Sequence, residues 1–331
     1  MERKPIDLEA SIARVERGGI PLRAEERLAE ERGNRLFTSD LSVSEFVLAR
    51  HAGCDPIAQV MGSSIFHVGQ IPDYKGKTSE IAIISDAHRR SRSAALSRLL
   101  QEAALVGADA VVGVHLRDRM ITMGARGKGG DDGGEVLEFT VVGTAVKAPW
   151  ITHEPGQPII TDLSGQDLWA LHTDGYEPCG FLFEFCRYHV WHVTKDVTFG
   201  FGSGELDQAS SAVEQARSIA AEKLLAQAAS HGAEFVIGSD ITVSVREVPC
   251  GYGGCQLDDL DVDVSWFGTG VRKIPGAHPT PHPVPPLILA MMPLGRRRSN
   301  EIDNEDDKDD IEIAAEEAEE AALEMDELVS E

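Results

Sequence analysis

Two cysteines with four residues between them, Cys250 and Cys255, are the side chains best placed to do chemistry. Two thiolates on a Gly-Tyr-Gly-Gly loop can chelate a soft ion such as zinc or copper(I). A structural zinc site needs four ligands, and no second cysteine pair lies nearby in the chain. The same loop therefore also reads as a flexible hairpin with two free thiols, or as a loop disulfide under oxidation. Cys179, Cys186, His189 and His192 form a second group. On a strand, Cys186 and His192 share a face but stand about 20 Å apart at ~3.3 Å per residue, and His189 points the other way. One strand cannot gather them on one ion, so they read as buried thiols and packed histidines. His278 and His282 lie in a Pro-rich segment that reads as linker.

Other chemistry fails on spacing or charge. Gly200-Phe-Gly-Ser-Gly204 sits where a phosphate loop would, between a strand and a helix. No Lys-Ser/Thr follows it, and Glu205 and Asp207 would repel phosphate from the helix start. No nucleophile elbow, no HExxH and no acid–base pair stand out. The reading is of a chain that is not an enzyme, with no catalytic residue.

The elements around these groups repeat. Asp40-Leu41-Ser42 matches Asp162-Leu163-Ser164, and 107–113 (GADAVVG) matches 232–238 (GAEFVIG). A third block, 142–147 (VGTAVK), matches 267–272 (FGTGVR) in the same order. Two copies of one domain are expected, at 38–149 and 160–275. In each, a Ser with an acid three residues on starts a short helix that stops at Gly53 or Gly175. A strand follows, near Ile57–Val68 or Gly180–Val193. Then come a long helix, Asp86–Val106 or Leu206–Ser230, and two strands. Asp261, Asp263 and Ser265 alternate with Val262, Val264 and Trp266, which predicts a sheet with one wet face. Between the last strands, loops are expected at 117–134 and 246–261.

The flanks differ from this body. Residues 1–37 read as a helical extension split at Gly18-Gly19, residues 276–300 as a Pro/His-rich linker, and 301–331 as an acidic disordered tail. The tail holds 16 acidic residues and one lysine, so it carries −15 of the net charge of −24. A balance this acidic argues against nucleic acid and against an anionic membrane surface. It suits a basic protein partner for the tail. No apolar run is long enough to span a bilayer, the N-terminus lacks the pattern of a signal peptide, and five cysteines in 331 residues read as reduced thiols. The expected location is the cytoplasm.

The blocks at 107–113 and 142–147 resemble the YbjQ family, the heavy-metal-binding domain family, and 232–238 with 267–272 is a worn version of the same pattern. The resemblance covers about two-thirds of the chain. It implies an α+β fold of two tandem YbjQ-like (dodecin-subunit-like) domains, each built as short helix, strand, long helix and two strands. It also implies homo-oligomeric assembly as a pentameric ring and no established activity. Two domains per chain then predict two stacked five-domain rings, or one closed ring in which the copies alternate. The combined expectation is a non-enzymatic, oligomeric protein that binds a heavy metal such as zinc or copper. The alternative is a ring-forming scaffold presenting its tail to a basic partner.

Overall fold

In the computed structural model, which describes residues 7–34, 38–68, 76–122, 135–193, 206–248 and 258–277, the N-terminal extension is two helices, α1 (Leu8–Glu16) and α2 (Leu22–Asn34). They part at Gly18-Gly19, as expected. Then follow α3 (Val43–His51), β1 (Asp55–His67), β2 (Ser79–Glu80), α4 (Ala82–Val106), β3 (Ala110–Thr122) and β4 (Glu135–Lys147). The second half runs β5 (Ile159–Ile160), α5 (Gly165–Thr173), β6 (Tyr176–Val193), α6 (Asp207–Ser230), β7 (Phe235–Val248) and β8 (Asp258–Lys273). The fold is mixed α+β. The linker and tail lie outside the described residues.

Local chemistry sets the same boundaries in both halves. Ser42 accepts from the Glu45 backbone N–H while the Glu45 carboxylate accepts from that of Ser42, and Ser164 and Asp167 repeat this capping box. The long helix of each half gives way at a left-handed glycine, Gly107 at φ 73° and Gly232 at φ 69°. A side chain there would cost backbone strain.

The two sheets have one register. Sheet one runs β1-β4-β3-β5 and sheet two β2-β6-β8-β7. Ala110 faces Val146 as Phe235 faces Val271, and Gln59 faces Thr144 as Phe181 faces Thr269. The irregularities coincide too, at Pro56/Ala58 and Pro178/Gly180, and at Val112/His115 and Ile237/Asp240. Strand edges are capped alike: the Met61 N–H donates to Glu102 on α4 (2.9 Å), and the Phe183 N–H to Gln227 on α6 (3.1 Å).

Each long helix lies on its sheet through a stripe of small residues four apart. In α4 the stripe is Ala87, Ser91, Ala95, Leu99 and Ala103; in α6 it is Ala212, Ala216, Ala220, Leu224 and Ala228. Small side chains let the backbones approach. At Gly62 a Cβ would fall 1.9 Å from the Ala95 carbonyl oxygen. Gly143 and Gly268 mark close approach inside their own sheets, where a Cβ would meet Val111 at 2.7 Å and the Ile237 carbonyl at 3.0 Å.

Three features depart from the sequence reading. The expected loop at 117–134 is strand at its start, since β3 runs to Thr122, and that at 246–261 is strand at both ends, since β7 runs to Val248 and β8 starts at Asp258. The two-residue strands were not foreseen, and each crosses to the other sheet. Ser79 and Glu80 pair with His189 and Tyr188, while Ile159 and Ile160 pair in parallel with Ala110 and Val111. The polar face of β8 is not wet: Asp259 and Asp261 are fully buried, because basic side chains of β6 and β7 lie against them.

Gly62→Ala should cost about 1–3 kcal/mol, the usual range for an overpacked core, read from urea unfolding followed by circular dichroism. An unchanged midpoint would show that α4 does not press on β1 at this point.

Candidate functional site

The chemistry-bearing side chains converge where β6 of the second half crosses the first half. One face of β6 (Leu182, Cys186, Val190) packs with α6 and β8. The other face sends Phe181, Phe183 and Phe185 into the core of the first half, against α4, β3 and β4. Fully burying each ring contributes roughly 1.5–3 kcal/mol. Arg92 of α4 is held in this aromatic layer, its guanidinium carbon 4.8 Å from the Phe139 ring centroid and 5.4 Å from that of Phe183. It donates to Ser265 (2.6 Å) and to Asp118 (3.3 Å). His88, one turn earlier, stacks on Phe185 with centroids 3.6 Å apart and planes at 4°. Burial first, then the charges of Arg92, Arg187 and Arg246, drives the His88 pKa well below its ordinary value. The ring is therefore neutral, a flat packing surface and not a proton carrier.

Further along the same face the layer turns ionic. Arg187 meets Asp263 through two donors at 2.6 Å each, and its N–H donates to Ser85 of α4 (3.1 Å). His189 donates from Nδ1 to Asp261 (2.8 Å), with Asp259 3.6 Å from Nε2 and Arg246 3.5 Å from Asp261. Arg187 and His189 stand directly opposite Asp263 and Asp261 in the β6–β8 register. That alignment was the signal in the sequence that could have predicted the buried network. Each buried acid here faces Arg187, His189 or Arg246, so the arrangement ties β6, β7 and β8 of the second half together, and the Arg187 N–H to Ser85 links it to α4.

A second polar cluster sits at the start of the second half. Thr161 donates to Thr269 (2.7 Å), which donates to the Asp162 carboxylate. Burial pushes the Asp162 pKa up to about 6, against the Thr269 hydrogen bond and with added repulsion from Asp167 and Asp240. In the first half, burial disfavours the Asp109 anion. Donors from Lys147, the Ala148 N–H and His153 outweigh that and hold its pKa below the ordinary range. Asp109 thereby ties the helix–strand turn to the end of β4, a structural role for the acid in the 107–113 block.

The thiols do not gather. Cys54 and Cys186 are buried apart, and burial pushes their pKa values up to about 11 and about 12, so both are protonated at neutral pH. His67 is exposed on β1 whereas His189, at the matching position, is buried. Among the described residues no three His, Cys, Asp or Glu side chains are placed to hold a metal ion. Cys250 and Cys255 lie outside the described residues. No helix among the described residues is long and apolar enough to cross a membrane.

The second half also carries a concave surface. Between α6 and β7 lies a groove of about 340 Å³ lined by Ala221, Leu224, Leu225, Ala228, Phe235 and Trp266 among others. Phe235 is 52% and Leu225 62% exposed, and the Trp266 indole N–H has no partner among the described residues. The corresponding groove of the first half, between α4 and β3, is the one that Phe181, Phe183 and Phe185 fill.

With this geometry in place, comparison with known proteins fixes the class: the chain belongs to the YbjQ family. The family model, described as "Putative heavy-metal-binding", matches residues 70–149. The chain is 34% identical over 233 residues to the Encapsulin nanocompartment protein Rv1762c of Mycobacterium tuberculosis, a match covering 67% of this chain and 82% of that protein. No solved structure matches the chain.

Arg187→Leu should cost about 3–5 kcal/mol, because Asp263 is left without its partner, and Arg187→Leu/Asp263→Leu should regain most of it. Denaturant titration of both variants checks this; a single-variant cost under 1 kcal/mol would mean that the pair does not hold β6 to β8. At Asp162 the folded pKa lies above the ordinary 3.8. Its stabilisation is thus present below pH 3.8 and is lost as pH rises through about 6. Asp162→Asn should gain up to about 3 kcal/mol over wild type at pH 8 and lose that advantage at pH 3.5. An equal difference at both pH values would contradict the buried carboxyl.

Proposed function

We propose that the protein is a non-enzymatic, self-assembling structural protein made of two copies of one domain, at 38–149 and 160–275. The observation that carries this reading is the groove between α6 and β7, which is open where its counterpart in the first half is filled by another domain. The shared register of the two sheets supports the duplication. The printed name of the Mycobacterium tuberculosis relative, an encapsulin nanocompartment protein, supports a role in assembly. The buried acids are paired with Arg187, His189 and Arg246, which favours a structural over a catalytic reading. A soft-metal property rests on the family description and on Cys250 and Cys255, the pair we assign to it. Cytoplasmic placement rests on the low cysteine usage. The −15 tail favours a second role, capture of a basic protein by the assembled particle.

Light scattering on the full chain at micromolar concentration should give a multiple of 35.8 kDa, and a monomer would overturn the assembly reading. Elemental analysis after zinc or copper(I) loading should show metal that is lost in Cys250→Ser/Cys255→Ser. Equal metal in the variant, or none in wild type, removes the cysteine assignment.

A further inference from the structure

We infer that copies of this chain join head to tail, the outer face of β1 in one copy filling the α6–β7 groove of the next. The inference rests on the self-assembly reading above and names the surfaces that perform it. Inside the chain, the outer face of β6 fills the groove of the first half, so the chain already contains one finished version of the interface. The shared register identifies what is left over. Phe181, Phe183 and Phe185 correspond to Gln59, Met61 and Ser63 of β1, since Gln59 lies opposite Thr144 where Phe181 lies opposite Thr269. Phe183 is 6% exposed and Arg187 1%, whereas their counterparts Met61 and Ile65 are 46% and 76% exposed. Groove and strand face are thus two halves of one contact, at opposite ends of the chain's internal pairing.

The helix side agrees. Arg92, 2% exposed, corresponds to Arg217 of α6, whose side chain is 50% exposed and pairs with Glu214 at 3.4 Å. Arg92 donates to Ser265 of the opposing sheet, and the counterpart of Ser265 is Thr140. Arg217 of one copy accordingly meets Thr140 of the neighbouring copy, while Met61 enters beside Leu225 and Trp266. The edge strand repeats the pattern: β3 is covered by β5, and β7 is the last strand of its sheet. An apolar edge left in this way invites pairing with another chain. Because the two surfaces differ, the contact is heterologous and propagates to a closed ring or an open filament.

The test uses the full chain and two exposed positions whose substitution leaves the core untouched. Met61→Arg spoils the strand face and keeps the groove; Leu225→Asp spoils the groove and keeps the strand face. Each variant alone should fall to the 35.8 kDa monomer in light scattering. An equimolar mixture should form a complex of twice that mass, since one intact surface of each kind remains. A two-fold contact between identical patches would give no such rescue. Wild type that assembles while both variants keep its mass overturns this interface and leaves self-assembly standing. Variants that fall to monomer but do not pair on mixing overturn the head-to-tail geometry. A monomeric wild type overturns both readings together.

Discussion

The insertion of three phenylalanines of β6 into the first half is the contact on which the remaining structure depends. It joins residues far apart in sequence, and it requires both faces of β6 to be buried, one under α6 and the other against α4 and β3. A strand buried on both faces normally reads as a continuous apolar run. β6 does so from Phe181 to Cys186 apart from the buried Glu184, then carries Arg187 and His189 inward. Those polar groups are tolerable because β8 supplies an acid directly across from each. The acids had to be buried with them. The ionic ladder is therefore a consequence of the aromatic insertion and not an independent feature.

Two halves that share a register but not a sequence can give the matching surfaces of each half different side chains. In the second half the inward strand face is aromatic and then charged, fixed against α4 by Arg92 and Ser85. In the first half the same face is Gln59, Met61, Ser63 and Ile65, milder, with Gln59 half-buried and the other three exposed. A contact that is permanent within a chain gains from deep burial of rings and paired charges. A contact exposed on the free chain must also stay compatible with solubility, which favours small and polar groups interspersed with one or two apolar anchors.

Much of this was legible in the sequence because it answers local backbone demands. The serine caps, the stop glycines Gly53, Gly107, Gly175 and Gly232 and the long helices follow from φ signs and hydrogen-bond needs that neighbours a few residues away decide. The repeat was visible for the same reason. The strand-length errors and the wet face assigned to β8 have one cause: burial of a polar face depends on what another element brings to it. Alternation of Asp and Val looks identical whether water or arginine lies opposite. The crossing strands β2 and β5 were invisible, since two residues carry no periodicity and their partners lie about a hundred and about fifty residues away. His88 and Arg92 were hidden in a helix already rich in arginine, where nothing local separates a solvated charge from a caged one.

The same distinction governs how the family description bears on this chain. A metal centre needs thiolates or neutral imidazoles that can be approached and are free to ligate. In the described body, burial holds Cys54 and Cys186 as thiols, His189 is tied to two aspartates, and His88 is stacked beneath arginine. These four groups with ligand chemistry are held in packing or pairing inside the fold. What the 107–113 block conserves between the halves is geometry: a left-handed glycine, an acid that ties the turn to the last strand, and a second glycine at the bulge. The pattern that identifies the family is thus a recipe for a strand that another domain can cover.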